Sequence, residues 1–276
     1  MPELPEVEVV KRGLLKHLPG RTITDFRSDG KSLRRPVPEK RMRNYLVGAT
    51  ITDVSRRAKY LLIELDNKAI MILHLGMTGT LGLFEKNSQT LTHDHVCFCL
   101  DNNYEMRFND VRRFGSIIIA SPKETNNLEN TVFKTTGPEP FDQIFSGTYL
   151  KELARDRTQP VKSFIMDSRV VAGIGNIYAN ESLFGAGIRP AKKIGAISLK
   201  KYNILVDEIQ RVLQRAIECG GSTISDFLST SGESGYFQVH FNVYGKNGAP
   251  CPRCSATLKQ VTLGGRASFF CPKCQR

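Results

Sequence analysis

No stretch of about 18 consecutive apolar residues occurs in the chain, so a helix long enough to span a bilayer is not expected. The N-terminus has no apolar signal region, and the protein is expected to stay in the cytosol. In that compartment the seven cysteines do not suggest disulfides. Internal repeats and low-complexity segments are missing; tryptophan is absent too, which decides nothing. Acidic residues are scarce. The 27 Asp and Glu stand against 39 Lys and Arg, a formal net charge of +12 that favours a polyanionic partner. What is present is a composition 40% hydrophobic and 24% charged over 276 residues, enough for about two globular domains with ordinary cores.

Along the chain, apolar positions at Val7, Val10, Leu14, Leu15 and Leu18 predict an amphipathic helix over 7–18, ended by Pro19-Gly20. From Ile23 to about Ile119 the pattern is short strands with turns. Tyr60–Leu65, Ala69–Leu73 and Ser116–Ala120 are the clearest strands, and Asp66-Asn67 and Asp101-Asn102-Asn103 read as hairpin connections. Two packed sheets are expected. Cys97 and Cys99, two apart on one of these strands, read as core thiols. The stretch 134–140, with Gly137-Pro138-Glu139-Pro140, reads as an extended connector. Beyond it Tyr149–Ala154 and Ser198–Cys219 carry helical periods, the second stopped by Gly220-Gly221. Between them the glycines of 170–179 suit a turn before a helix, with backbone N–H groups able to meet an anion.

Both ends carry chemistry. Cys251-Pro252-Arg253-Cys254 and Cys271-Pro272-Lys273-Cys274 are two C-x2-C knuckles sixteen residues apart, the spacing of a closed four-cysteine zinc site. With four ligands one Zn2+ would be structural, fixing a hairpin with Arg266 at or near its tip, beside Gly264-Gly265. At the other end, removal of Met1 would leave Pro2 as a secondary amine, able to attack an electrophilic carbon and hold it as a Schiff base. Glu3 and Glu6 stand within reach as general acid or base; the plainer reading is that they open a helix.

Taken together, Pro2-Glu3-Leu4-Pro5-Glu6, Arg56-Arg57-Ala58-Lys59, His74-Leu75-Gly76-Met77, His93-Asp94-His95, Asp110-Val111-Arg112-Arg113-Phe114-Gly115, Gly175-Asn176 and the cysteine hairpin resemble the formamidopyrimidine-DNA glycosylase family. The resemblance implies an α+β multidomain fold. Its N-terminal two-sheet β-sandwich with flanking helices would span 1–134 and a hinge 135–148. A helix–two-turn–helix domain would span 149–236 and a four-cysteine β-hairpin zinc finger 237–276. It implies a bifunctional repair enzyme that removes oxidised purines from double-stranded DNA and cleaves abasic sites by β,δ-elimination. A monomer is expected, because one asymmetric lesion strand suits one cleft, and association with the nucleoid is expected if the source is bacterial. Carried over residue by residue, Pro2 is the nucleophile, Glu3 transfers protons and Glu6 supports it. Lys59 serves near the lesion phosphates and in elimination, and Arg266 in the δ step. Met77, Arg112 and Phe114 fill the gap left by the extruded nucleotide; His74, His93, Arg157 and Asn176 contact DNA; Cys251, Cys254, Cys271 and Cys274 hold zinc. His93 and His95 could instead form a metal pair, facing one side of a strand. The segment 220–226 resembles the family's loop over the extruded base.

The chain departs from the family pattern at Val9, where threonine is frequent, and at Lys246, where Tyr-Gly-Arg is usual. Two other readings stay open. One is the sister endonuclease VIII family for oxidised pyrimidines, against which Leu4 and the Arg112-Arg113-Phe114 run count. The other is a non-catalytic zinc-ribbon DNA-binding protein, which would need neither Pro2 nor Glu3.

Overall fold

The computed structural model describes residues 2–220 and 241–276, so residues 221–226 of the segment compared with a base-covering loop lie outside the described residues. Two compact units divide it, one within residues 2–134, the other formed by 135–219 and the C-terminal segment.

In the first unit, α1 runs Leu4–Leu15, beginning before the predicted position 7. The cause is local. Pro5 sits in the first turn, and Glu3 and Glu6 form a capping box in which the Glu3 N–H donates to Glu6 Oε2 at 2.8 Å. Two four-stranded antiparallel sheets follow. One holds β1 (Ile23–Ser28), β5 (Gly79–Glu85), β6 (Asp94–Leu100) and β7 (Tyr104–Asp110) in the order β1-β6-β7-β5. The other holds β2 (Ile51–Arg57), β3 (Tyr60–Leu65), β4 (Ile70–His74) and β8 (Ser116–Ala120) in the order β2-β3-β4-β8. Strand alternation delivers Phe26, Phe98 and Phe108 from one sheet and Val54, Ile63 and Leu73 from the other into a shared core. α1 adds Val7 and Leu14, and α2 (Glu39–Tyr45) adds Met42. A single turn, α3 (Pro122–Thr125), follows the last strand. Cys97 and Cys99 are buried but lie beside charge rather than in the apolar core. Burial, and then neighbouring carboxylates, push both thiols up, so they are poor nucleophiles.

The second unit is helical. α4 (Gly147–Leu153), α5 (Val161–Ile165), α6 (Asn176–Ala186) and α7 (Leu199–Glu218) share one core built on Phe164, Tyr178, Leu183, Tyr202, Leu205 and Leu213. α7 carries the predicted amphipathic stripe, and Gly220 follows its C-cap at φ +83°, a conformation that favours glycine. α6 is buried on nearly every side. Its buried Glu181 carboxylate accepts from the backbone N–H groups of Asn242, Val243 and Tyr244 at 2.8–2.9 Å, and so seats the segment leading into the cysteine hairpin. β9 (Lys259–Leu263) and β10 (Arg266–Phe270) form that hairpin, turning through Gly264 and Gly265, both at positive φ. The architecture is thus an α+β arrangement of two packed sheets with helices, a helical unit and a four-cysteine β-hairpin.

Candidate active site and nucleic-acid interface

Pro2 is half-buried and directly precedes two buried carboxylates, Glu3 and Glu6. The capping box fixes the Glu6 carboxylate on the Glu3 backbone and turns the Glu3 carboxylate onto the N–H of Glu6. Both residues therefore open the helix as well as flanking the terminal amine. α1 packs on β2 and β3, and one polar chain ties it to their connecting turn. Glu8 accepts from Arg56 Nε at 3.0 Å, and Arg56 Nη1 donates to the Ala58 carbonyl at 2.8 Å. Burial opposes the Glu8 charge, but Arg56 and Arg12 outweigh it and hold the carboxyl below its usual range. Ala58 takes φ +55° inside the two-residue turn and is followed by the half-exposed Lys59. The strained turn is thus anchored to the helix whose first turn follows Pro2.

Two neighbouring loops carry the next group. His74 ends β4, and its Nδ1 accepts from the Gly76 N–H at 3.0 Å. Burial first, then the charges of Lys59 and Arg34, push His74 down to about 4, with Asp110 opposing. The ring is therefore neutral at pH 7 and available to donate through Nε2. Because its pKa in the fold lies below the ordinary 6.5, this group's stabilising contribution is whole above about 6.5 and is lost as pH falls towards about 4. Met77 and Phe114 are 37% and 44% exposed, unusual for such side chains in neighbouring loops. The Arg112 guanidinium lies 4.7 Å from the Phe114 ring centroid. His93 does not lie on a strand as expected. It precedes β6 at φ +77° and is exposed, whereas His95 is buried between Asp29 and the Asp110 carbonyl. The two rings do not share a metal-ligating group; among the described residues the four cysteines are the only such cluster.

On the second unit, Asn176 is the first residue of α6, with Gly175 as N-cap. Its Oδ1 is buried and has no hydrogen-bond partner among the described residues. Arg157 is exposed on the connection between α4 and α5. Arg266 opens β10 immediately after the Gly264-Gly265 turn and is exposed. The strand behind it is fixed from below. The buried Lys162 Nζ donates to the Ala267 carbonyl at 2.6 Å and Ser268 Oγ at 2.7 Å, and the Phe269 N–H donates to Asn180 Oδ1 at 2.8 Å.

The cysteine cluster fits a metal. All four Sγ atoms lie within 4.8 Å of one another, with Cys251–Cys274 at 3.9 Å and Cys254–Cys271 at 3.5 Å. A tetrahedral Zn2+ with Zn–S bonds near 2.3 Å demands S···S edges of about 3.8 Å. The N–H groups of Arg253 and Cys274 each donate to a cysteine sulfur at 3.4 Å, the bonds that stabilise thiolate in a knuckle. No position is left for a substrate, so this Zn2+ is structural.

Comparison with known proteins accounts for both ends of the chain at once. Residues 1–117 match the formamidopyrimidine-DNA glycosylase N-terminal domain, 136–228 the H2TH domain of the same glycosylase, and 248–276 the zinc finger found in FPG and IleRS. The formamidopyrimidine-DNA glycosylases of Marinobacter nauticus and Xanthomonas euvesicatoria are 45% and 46% identical over 276 residues, covering all of both chains. The chain belongs to the formamidopyrimidine-DNA glycosylase family. Its fold is that of a Lactococcus lactis FPG mutant in complex with a Fapy-dG containing DNA, with TM-score 0.90 and 33% identity over the whole of both chains. L. lactis Fpg with an abasic site containing DNA gives 0.89 and 34% over 99% of each. Family membership also decides between the readings left open by the sequence, against the sister family and against a bare zinc ribbon.

Sequence reasoning gave no role to Glu181, Lys162 or Asn180, the groups that seat the glycosylase hairpin. Their one signal was polar side chains inside segments otherwise too apolar to face water.

Proposed function

We infer that this chain excises oxidised purines from duplex DNA and cleaves abasic sites through a Schiff base on Pro2, with the work divided among the residues described above. The activity is that of the family: a DNA glycosylase with AP lyase activity, acting on oxidised purines and abasic sites. The residue roles rest on the chemistry of the N-terminal unit. Once Met1 is removed, the secondary amine of Pro2 attacks C1′ and displaces the base. The resulting iminium acidifies the 2′ hydrogen, so elimination follows without a redox cofactor. Glu3, buried and next in sequence, is the proton-transfer group, and Glu6 holds the Glu3 backbone in place. Lys59, on the turn tied to α1 through Arg56 and Glu8, serves the lesion phosphates and elimination.

Base removal requires extrusion of the nucleotide, which leaves a gap and costs a few kcal/mol of stacking. Met77, Phe114 and Arg112 fill it, the first two by apolar contact and the third by hydrogen bonds to the orphaned base. Their exposure, despite apolar bulk, is what supports this assignment. Neutral His74, His93, Arg157 and Asn176 contact the backbone, and Arg266 meets phosphate in the δ step. The domain division read from the sequence, with its hinge at 135–148, belongs to the same proposal, as does action as a monomer.

The single observation that carries the reading is the half-buried Pro2 beside two buried carboxylates in a chain of this family. Because one solved relative is bound to an oxidised pyrimidine containing DNA, the test compares substrates. Duplexes carrying 8-oxoguanine, formamidopyrimidine or an oxidised pyrimidine are cleaved in parallel. Preference for the two purine lesions is expected; equal or better cleavage of the pyrimidine lesion would overturn the assignment of base class.

A further inference from the structure

We propose that Asp110 is a positioning residue for base extrusion. Its buried carboxylate locks the loop of Arg112 and Phe114 to the loop of Met77, so that the three side chains enter the duplex as one rigid wedge. This rests on the reading that these three fill the vacated space.

Asp110 is the last residue of β7 and is fully buried, yet it touches none of the groups assigned to chemistry. Its Oδ2 accepts from the Gly115 N–H at 2.7 Å. Its Oδ1 accepts from Thr78 Oγ1 at 2.5 Å and from the Arg112 N–H at 3.3 Å. The Thr78 hydroxyl in turn accepts from the Arg112 N–H at 3.1 Å. One carboxylate thus closes the 110–115 loop on itself and couples it to the residue after Met77. The backbones leave no slack. A Cβ on Gly76, already at φ +67°, would lie 2.4 Å from both Gly115 N and Phe114 C; one on Gly115 would lie 2.8 Å from the His74 carbonyl. Arg113 takes φ +55° to complete the reversal, its N–H donating to the Asp110 carbonyl at 3.1 Å. Behind that carbonyl stands His95 Nε2 at 3.0 Å, with His95 Nδ1 2.8 Å from Asp29 Oδ2. A wedge must enter a stacked duplex without yielding. A network that ends on a buried charge, with its donors converging, supplies that stiffness better than neutral contacts would.

The test uses the zinc-loaded full chain. Stopped-flow 2-aminopurine fluorescence, with the probe beside 8-oxoguanine, reads extrusion and wedge entry, and the protein has no tryptophan to obscure it. Borohydride trapping on single-stranded abasic DNA reads the Pro2 chemistry where no duplex needs filling. Asp110→Asn keeps the shape but turns a donor towards Gly115 or Thr78. It should slow the 2-aminopurine phase by about ten- to a hundredfold, as expected for a misplaced group, while single-strand trapping stays unchanged. Thr78→Val removes only the bridging hydroxyl and should slow the same phase by about three- to tenfold. Phe114→Ala is the control for the wedge reading. If it leaves the 2-aminopurine phase intact, that reading fails and the proposal with it. If it slows the phase while Asp110→Asn and Thr78→Val do not, the wedge stands and the proposal is overturned. Equal losses of trapping and extrusion in Asp110→Asn would make its role general folding and would also overturn it.

Discussion

His74 and Arg157 are both assigned to DNA contacts, but the structure gives them different electrostatics, and salt separates them. Arg157 is an exposed, permanently charged guanidinium. His74, held down to about 4 by burial and by the charges of Lys59 and Arg34, is about 0.1% protonated at pH 7. Each cation that neutralises a phosphate releases counterion and contributes about −0.9 to the slope of log K against log salt. With Lys59, Arg157 and Arg266 as the cations assigned to phosphate, the slope should be about −2.7. Arg157→Gln should flatten it by about 0.9, whereas His74→Gln should leave it unchanged and weaken binding about three- to tenfold at every salt concentration, the loss of a neutral hydrogen bond. Fluorescence anisotropy with a duplex holding a non-cleavable abasic analogue, from 50 to 300 mM salt (~sixfold), measures both. A slope that flattens equally in the two variants would show that His74 binds as a cation and would refute the reasoning from burial and neighbouring charge.

Three further outcomes are expected. Stripping Zn2+ with a chelator, or Cys254→Ser, should unfold the hairpin that presents Arg266 and abolish specific duplex binding, with recovery on adding Zn2+ but not Mg2+; circular dichroism and anisotropy read it. Glu181→Gln leaves converging N–H groups of 242–244 facing an amide. It should cost about 2 kcal/mol, a melting shift of about 4–8 °C by calorimetry, and an unchanged melting curve would count against that anchor. As pH falls from about 6.5 towards 4, the native state should lose stability, because the unfolded chain protonates His74 while the folded chain keeps it neutral. A His74 resonance titrating near 6.5 by NMR would contradict this.

Much of the fold was legible because its signals are local. Short apolar runs on either side of the Asp66-Asn67 turn, the glycine pair of the hairpin and the two cysteine knuckles each state their structure within a few residues. The start of α1 was misplaced because hydrophobic spacing ignores Glu3 and Glu6, which begin the helix by capping rather than by burial of apolar surface. α5 escaped because five residues are too few to show a period. His93 was read onto a strand by its neighbours, but the backbone reverses there at φ +77°. The least legible part was the polar support. Asp110 meets Thr78 across 32 positions and Glu181 meets Val243 across 62, and no window of sequence reports such pairs. Residue types at the candidate site could be named from motifs; what holds them at their stations required the fold.

The most direct measurement of the central claim is the site of the covalent bond. Protein is incubated with abasic duplex, reduced with borohydride and digested, and the cross-linked peptide is sequenced by mass spectrometry. The sugar adduct is expected on the nitrogen of Pro2 in a chain lacking Met1, and blocking that amine with a retained residue should abolish the adduct. An adduct mapped to Lys59 or any other lysine, with Pro2 unmodified, would contradict the account.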